Sequence, residues 1–327
     1  MLGDASRYEG LVAADLKILK ATLDRAHAEG LKVVVVPLSL PGMRWSQNNG
    51  GQFDGRIWQD KERWTQSARF WGDLAMELKG HPAVVGYNLA NEPAPEREGG
   101  VVEDASPEAL KAWYGTVKGS ARDLPAFYRL VLAAVRRVDP VTPVMLDAGW
   151  YARATAFTYW PDPVSDQKTL YAFHRYEPYP WSSPKNFRRS KPWVYPGPIP
   201  SVQGREQEWD RAAVARFLQP AYDWAKEQGI PRYRMVASEF GCHRLSPGCA
   251  LYLEDVLSVV EGQESHWAFY AFQEDTYDGF DYELGTWKAP WAYWRALEKG
   301  RPWKLKRTSN PLFEPIARRL KAAKKRP

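Results

Sequence analysis

Apolar residues along this chain follow two alternating patterns. In the first they recur every three or four positions, which predicts a helix with one buried face. The earliest example ends before Gly30. Its apolar positions are Leu16, Leu19, Leu23 and Ala26. In the second pattern they form a short continuous run, and residues 32–38 (KVVVVPL) are such a run, which is typical of a strand buried on both faces of a sheet.

The rest of the chain repeats this alternation. Further helical patterns cover residues 64–78, 127–138, 214–224 and 252–259. Further predicted strands are residues 83–89, 143–146, 170–174, 233–238 and 266–272. Strands that alternate with helices predict parallel β/α units, so the fold class is α/β, with a doubly wound sheet and a β/α barrel both open. The pattern gives six strands, not the eight of a complete β/α barrel.

Two segments of the chain lie outside this alternation of strands and helices: a long connection and a basic C-terminal end. Residues 181–203 contain five prolines and predict a long surface loop after a strand, where barrel enzymes place substrate contacts. Residues 300–327 hold ten Lys or Arg and one acid, Glu314. We expect a solvated basic helix or tail there.

Aromatic residues make up 14% of the 327 residues, including 16 Trp. Aromatic rings cover the apolar faces of sugars and also stack on nucleobases. Without residues 300–327 the chain has 35 basic and 38 acidic residues, so its aromatic part is mildly acidic. A nucleic-acid surface needs basic residues among the aromatic ones, so we expect no nucleic-acid partner.

The N-terminus, the apolar runs and the cysteines indicate the cellular location expected for the protein. Cys242 and Cys249 have a spacing that fits either a small disulfide loop or two thiols. No apolar run approaches the ~18–20 residues of a membrane helix, and the first residues lack a secretory pattern. As written, the chain is expected in the cytoplasm with no membrane partner. A missing upstream signal peptide would make it secreted.

Two predicted strands end on a glutamate. The strand in GYNLANEP (residues 86–93) leads to Glu92, and the strand in MVASEFG (residues 235–241) leads to Glu239. Alone, the first segment could be a turn and the second a capping or ion-pairing glutamate. Together they match the layout of a retaining glycosidase, in which two carboxyl groups lie ~5–5.5 Å apart.

A third segment, LYAFHRY (residues 170–176), places His174 and Tyr176 on one side of an extended stretch. Both side chains can therefore face one pocket. A phenol that donates a hydrogen bond to a carboxylate nucleophile would orient it and keep it ionised.

These segments together resemble glycoside hydrolase family 5, of the clan of (β/α)8 barrels whose catalytic glutamates end strands 4 and 7. The resemblance implies that Glu92 is the acid/base and that Asn91 hydrogen-bonds the 2-hydroxyl of the sugar being cleaved. It also implies that Glu239 is the nucleophile. The His-x-Tyr pair of the family's strand 6 corresponds to His174 and Tyr176.

The resemblance covers residues 10–295, with three departures. Further segments that carry it are LPG at 40–42, SQNNGG at 46–51 and GHPAVVGYNLANEP at 80–93. The strand before the Pro-Gly loop lacks the family's His, and the last strand has Tyr270 and Phe272 where many members have a tryptophan. The family also has two β/α units before the first strand seen here, and the second of them carries an arginine that hydrogen-bonds the nucleophile.

We therefore expect a (β/α)8 TIM-barrel type whose first two β/α units are absent from this chain. Its catalytic barrel would span residues 1–300, followed by the basic helix or tail over 301–327. An upstream start, a fragment, or another chain covering the gap would each explain the absence. We favour an upstream start, because residues 1–11 are typical of a loop that leads into a helix of a larger protein.

The resemblance implies a retaining, endo-glucanase-like β-glycosidase that acts on a β-glucan or a related β-linked oligosaccharide or polysaccharide. Trp45, Tyr270 and Phe272 are the aromatic residues expected to stack on sugar rings. β-Mannan and β-1,3-glucan remain alternative substrates, and a non-catalytic carbohydrate-binding remnant remains the rival class. Metal-protease, P-loop and nucleophile-elbow motifs do not occur. Since glycoside hydrolysis needs only two carboxyl groups and water, no metal or cofactor is expected.

Overall fold

The computed structural model of this chain describes residues 7–46, 49–273, 278–301, 303, 305 and 307–323. Its strands are β1 (Val33–Val35), β2 (Ser39–Leu40), β3 (Met43–Arg44), β4 (Val84–Asn88), β5 (Val144–Asp147), β6 (Thr169–Arg175), β7 (Gly197–Pro200), β8 (Glu206–Trp209), β9 (Met235–Phe240) and β10 (His266–Trp267). Its helices are α1 (Ala13–Ala28), α2 (Glu62–Leu78), α3 (Pro95–Glu98), α4 (Pro107–Val117), α5 (Leu124–Val138), α6 (Gly149–Ala152), α7 (Tyr179–Ser182), α8 (Pro184–Phe187), α9 (Arg211–Glu227), α10 (Cys249–Gly262), α11 (Trp291–Glu298) and α12 (Glu314–Ala323).

Six of these strands form one sheet, in the order β1, β4, β5, β6, β9 and β10. The order along the sheet is the order along the chain, and the described pairs are parallel. This confirms the six strands predicted from the apolar runs. β2 pairs with β3, and β7 pairs with β8, as two antiparallel ribbons outside that sheet.

The chain divides into two compact units. Unit 1 comprises residues 1–173 and 220–235, and unit 2 comprises residues 174–219 and 236–327. In unit 1, the amphipathic helices α2 and α5 pack against each other, with the Trp64 and Phe127 rings 5.7 Å apart. Helix α5 begins at a cap, because the Asp123 side chain accepts a hydrogen bond from the backbone N–H of Ala126.

Aromatic side chains fill the cores of both units. Fully buried rings in unit 1 include Trp58, Trp71, Tyr87, Tyr128 and Trp160, and those in unit 2 include Trp181, Tyr195, Tyr252 and Tyr282. A large aromatic side chain buries much apolar surface, so much of the aromatic content builds the interior. The aromatic content of the sequence is therefore a poor guide to the number of rings that are accessible to a sugar.

Three expectations about individual segments are wrong. Strand β1 is not buried on both faces: Val34 is 38% exposed, and so is Val36, the residue after β1, because β1 lies at one end of the strand order. Residues 181–203 are not purely a surface loop, since they contain α8 and β7 and bury the Tyr195 side chain. The last strand ends at Trp267 rather than residue 272, and beyond it the chain follows β9 only through separate backbone hydrogen bonds.

Within the basic C-terminal segment, residues 314–323 form the helix α12, and this helix is not simply solvated. In α12, the Arg319 guanidinium donates hydrogen bonds to Glu254 and Glu261 of α10. Residues 324–327 lie outside the described part of the chain. Among the described residues, none of the helices combines the length and apolar character needed to cross a bilayer.

Candidate active site

In unit 1, Glu92 follows the carboxyl end of β4 and has a left-handed backbone, with φ of 49°. Its backbone N–H donates to the Asp147 carboxylate at the end of β5, over 3.1 Å. The second oxygen of that carboxylate accepts a hydrogen bond of 2.8 Å from the Asn88 side chain. Since Asp147 is fully buried, these bonds fix the backbone from which the half-buried Glu92 side chain projects.

Asp147 is a site residue that the sequence reasoning missed. The predicted third strand stopped at Leu146, one residue short of this carboxylate. The signal was present, because Asp147 ends an apolar strand in the same way as the two glutamates do. Asn91, predicted to bind the sugar 2-hydroxyl, is buried between the end of β4 and Glu92.

The turn after β5 adopts a left-handed conformation that the sequence does not predict. Trp150, Tyr151 and Ala152 have φ values of 45°, 61° and 61°. This α6 segment is therefore a left-handed turn and not a right-handed helix. A side-chain-bearing residue costs roughly 1–2 kcal/mol in this region, so three in succession require strong support from their surroundings.

That support comes from the segment after Glu92. The Trp150 N–H donates to the Glu96 carboxylate over 2.9 Å, and the Tyr151 N–H donates to the Pro93 carbonyl over 3.2 Å. Glu96 is completely buried, and burial raises its pKa to about 7. Sequence reasoning assigned no role to Glu96.

Trp45, predicted to stack on a sugar, belongs to an aromatic group in unit 1 that we name the Trp45 platform: Trp45, Phe53 and Tyr151. The Trp45 ring lies 5.1 Å from that of Tyr151 and 5.4 Å from that of Phe53. All three side chains are half-buried, so each keeps an accessible part. Gln47 and Asn48 of the neighbouring SQNNGG segment lie outside the described residues.

In unit 2, Glu239 lies near the carboxyl end of β9. Its carboxylate accepts a hydrogen bond of 2.7 Å from the Tyr176 hydroxyl. The Nδ1 atom of His174 lies 3.6 Å from the same carboxylate oxygen, and His174 is buried. The structure thus brings together the three residues that the sequence placed on the sixth and seventh strands of the family's barrel.

The residue between them explains why His174 and Tyr176 face the same way. The Arg175 side chain is fully buried among aromatic rings, with its guanidinium carbon 4.3 Å from the Phe217 ring centre and 5.0 Å from that of Trp209. Its backbone carbonyl accepts hydrogen bonds from the Gly241 N–H and the Tyr252 hydroxyl. Alternation along an extended chain then directs the flanking side chains to the opposite face.

Tyr270 and Phe272 differ in their settings within unit 2. The Tyr270 ring packs edge-on against Tyr176 at 6.4 Å and against Phe280 at 5.4 Å. The Phe272 side chain is 65% exposed. Tyr270 therefore lies beside the residue that holds Glu239, whereas Phe272 lies on the surface.

The structure decides the question that the cysteine spacing left open. Cys242 and Cys249 form a disulfide that closes the loop between β9 and α10. This loop begins two residues after Glu239, so the bond restricts the chain close to the carboxylate.

Comparison with known proteins gives one family and many similar folds. The family model Cellulase (glycosyl hydrolase family 5) matches residues 4–276. A hyperthermophilic endo-β-1,4-glucanase solved with its substrate is 17% identical, with a TM-score of 0.57 over 90% of this chain and 80% of that one. Two structures of Thermotoga maritima Cel5A, with cellobiose and with mannotriose, are each 15% identical over 84% of this chain and 74% of theirs, with TM-scores of 0.56 and 0.57. A search of curated protein sequences found no match.

Proposed function

Because the chain belongs to glycosyl hydrolase family 5, we propose that it is a retaining β-glycosidase that cleaves a β-linked glucan. Glu239 is the nucleophile and Glu92 is the acid/base in this proposal. Glu92 follows the carboxyl end of β4 and Glu239 lies near the carboxyl end of β9, and both strands belong to the one parallel sheet. The fold of the chain is similar to that of the endo-β-1,4-glucanase described above.

The observation that carries the proposal is the hydrogen bond from Tyr176 to Glu239. A nucleophilic carboxylate must be aimed at the anomeric carbon, and the Tyr176 hydroxyl, which donates to Glu239 over 2.7 Å, orients it. A glutamate serving only to cap a helix would have no need of a buried histidine and a tyrosine at its carboxylate.

The reaction follows from these roles in two steps. A Glu239 oxygen attacks the anomeric carbon while Glu92 gives its proton to the glycosidic oxygen, so the leaving sugar departs and a glycosyl ester forms. Glu92 then takes a proton from water, and that water displaces Glu239 from the anomeric carbon. Each step inverts the configuration at the anomeric carbon, so the product retains the configuration of the substrate. Asn91 donates to the 2-hydroxyl of the sugar during both steps.

For the substrate we propose a β-1,4-glucan cleaved within the chain. Support comes from structures of the same fold, described as an endo-β-1,4-glucanase with its substrate and as Cel5A with cellobiose. Cel5A was also solved with mannotriose, so a β-mannan is the second candidate. β-1,3-Glucan remains an alternative substrate, since it differs from a β-1,4-glucan only in the position of the glycosidic linkage.

Two variants test the roles. Glu239→Ala should abolish turnover, and added azide should restore some rate while forming a glycosyl azide of inverted configuration. Glu92→Ala should retain far more activity on aryl glycosides than on oligosaccharides, because a good leaving group needs no acid. Glu298→Ala, in the exposed part of α11, is the matched control.

Proton NMR of the first-formed sugar gives the decisive readout. Retained configuration supports the proposal, and inverted configuration contradicts it. If oligosaccharides bind but none is cleaved by the unmutated protein, the rival class of a non-catalytic carbohydrate-binding protein is correct.

A further inference from the structure

We propose that an exposed basic segment close to Glu239 binds carboxylate groups carried by the substrate, so that the substrate is an anionic β-glucan. The segment comprises residues 185–193, and we name it the basic loop. This inference rests on the proposed function, since it names the chemical class of the glucan. It concerns unit 2 alone.

The basic loop carries an excess of positive charge that its own surroundings do not balance. Its four exposed cations are Lys185, Arg188, Arg189 and Lys191. Residues 178–205 contain no Asp or Glu, and within the described part of the chain none of the four cations forms an ion pair. A local excess of one charge attracts ligands of the opposite charge, so this loop favours an anion.

One buried side chain closes the basic loop. The Asn186 side chain accepts the Trp193 N–H over 2.9 Å and donates to the Trp193 carbonyl over 3.0 Å. Asn186 is fully buried, and its own carbonyl accepts the Arg189 N–H over 3.0 Å. The backbone is therefore held before a ligand arrives, and a preorganised loop loses little entropy on binding.

Aromatic rings hold two of the cations. The Arg189 guanidinium carbon lies 3.6 Å from the Trp193 ring centre, and that of Arg188 lies 5.6 Å from the Phe187 ring centre. The Arg189 Nε atom donates to the Lys191 carbonyl over 3.3 Å, and its two terminal nitrogens make no hydrogen bond within the described chain. A guanidinium can donate to both oxygens of one carboxylate, so Arg189 is suited to that ligand.

The basic loop packs against the segment that follows Glu239. The Phe187 ring stacks on the His243 ring, with their centres 4.3 Å and their planes 19° apart. The His243 N–H donates to the Ser182 carbonyl over 2.7 Å, which joins the two segments again. The chain enters this region from β6, directly after Tyr176, which donates to Glu239. A glucan at Glu239 would therefore have the basic loop beside it.

The same contacts favour a carboxylated glucan over a single-stranded nucleic acid. Surfaces that bind single strands combine cations with aromatic faces on which bases stack. Here Arg189 covers one face of Trp193, and Phe187 is stacked on His243. The rings serve to hold the cations, and carboxylates on a sugar chain require only the cations.

The first test compares two soluble β-1,4-glucans, the anionic carboxymethylcellulose and the neutral hydroxyethylcellulose. Combining Arg188→Gln with Arg189→Gln should raise KM for carboxymethylcellulose roughly fivefold at low ionic strength, as expected for two exposed charge contacts. KM for hydroxyethylcellulose should rise less than twofold. In 1 M NaCl, where charges are screened within about 3 Å, the variant and the unmutated protein should have the same KM for carboxymethylcellulose.

The matched control removes two charges elsewhere in unit 2. Combining Lys299→Gln with Arg301→Gln changes two exposed residues after α11 and lowers the net charge by the same amount. Its KM for carboxymethylcellulose should be unchanged. A loss equal to that of the loop variant would show an effect of net charge alone. That result, equal losses of the loop variant on both polymers, or no loss on either, would overturn the inference.

Electrophoresis through gels that contain carboxymethylcellulose measures binding without cleavage. If hydroxyethylcellulose is cleaved and the loop variant matches the unmutated protein on both polymers, the function stands and the inference fails. If neither polymer is cleaved but the loop variant binds carboxymethylcellulose fivefold more weakly, the function fails and the anion site stands. If neither polymer is cleaved and carboxymethylcellulose is not bound, both are wrong.

A nucleic-acid partner is the remaining outcome. If the loop variant loses binding to single-stranded DNA while its binding to carboxymethylcellulose is unchanged, the basic loop binds nucleic acid and the inference is wrong. Weaker binding to carboxymethylcellulose with unchanged binding to single-stranded DNA supports it.

Discussion

At the scale of single residues, the Tyr176 hydroxyl is the group on which the proposed nucleophile depends. It donates to Glu239 over 2.7 Å. A hydrogen bond to a charged group contributes about 1.5–3 kcal/mol, so Tyr176→Phe should lower kcat by roughly 10–100-fold. Steady-state kinetics on cello-oligosaccharides measure this, and an unchanged melting temperature excludes general damage. Tyr233→Phe is the control, and an unchanged kcat in Tyr176→Phe would contradict the role.

Glu96 should make the stability of the protein depend on pH. Burial raises its pKa from 4.5 to about 7, so the folded protein binds this proton more tightly than the unfolded chain does. The stabilisation is complete below about pH 4.5 and is lost as the pH rises to about 7, at a cost of about 3 kcal/mol. Denaturant unfolding of Glu96→Gln should therefore lack this decline. Parallel pH curves for the two proteins would show that Glu96 has an ordinary pKa.

At the scale of elements, the left-handed turn after β5 depends on a glycine that could be mistaken for a flexible joint. Gly149 is required because the buried Glu96 carboxylate lies where its Cβ would be. Gly149→Ala should therefore lower the free energy of unfolding by ~1–3 kcal/mol, the usual range for overpacking. Gly115→Ala, in open space within α4, is the matched control and should be neutral or stabilising. Equal stabilities in denaturant titrations would contradict this packing.

The contact between α10 and α12 shows how a basic segment becomes part of a folded unit. Hydrogen bonds from Arg319 hold the pKa of Glu254 down to about 2. Glu254 is partly exposed, so solvent screens the pair, and we expect Arg319→Leu to cost ~1–2 kcal/mol of stability at neutral pH. This stabilisation is present above about pH 4.5 and is lost as the pH falls through about 2. Thermal melts against Lys321→Leu, an exposed position of α12, measure it.

At the scale of the whole molecule, β1 is the exposed end of the strand order. Among the described residues it pairs with β4 alone, and Val36 and Leu38 beyond it are 38% and 55% exposed. An exposed apolar edge strand promotes association between chains. Val36→Lys should therefore reduce self-association in analytical ultracentrifugation at micromolar concentrations, whereas Val141→Lys, exposed in a turn, should not. Identical sedimentation of all three proteins would contradict this.

The amino-acid sequence by itself determined the six-strand α/β framework. Apolar periodicity is local, so a few neighbouring residues suffice to predict β4, β9, α2 and α5. Strand ends are also local, which is why Glu92 and Glu239 could be found at them, and why His174 and Tyr176 could be placed on one face. The roles of these residues remain predictions until the variants are measured. The absence of two β/α units likewise remains a prediction.

Only the tertiary structure decided what surrounds those residues. The Glu92 N–H meets Asp147 and the Trp150 N–H meets Glu96 across 55 and 54 residues of chain. Arg319 reaches Glu254 across 65 residues. No local pattern encodes such pairs, because a carboxylate that will be buried has the same neighbours in sequence as one that stays in water. The backbone strain of the turn after β5, the raised pKa of Glu96 and the exposure of β1 all depend on how distant segments pack together. They could therefore be identified only from the tertiary structure.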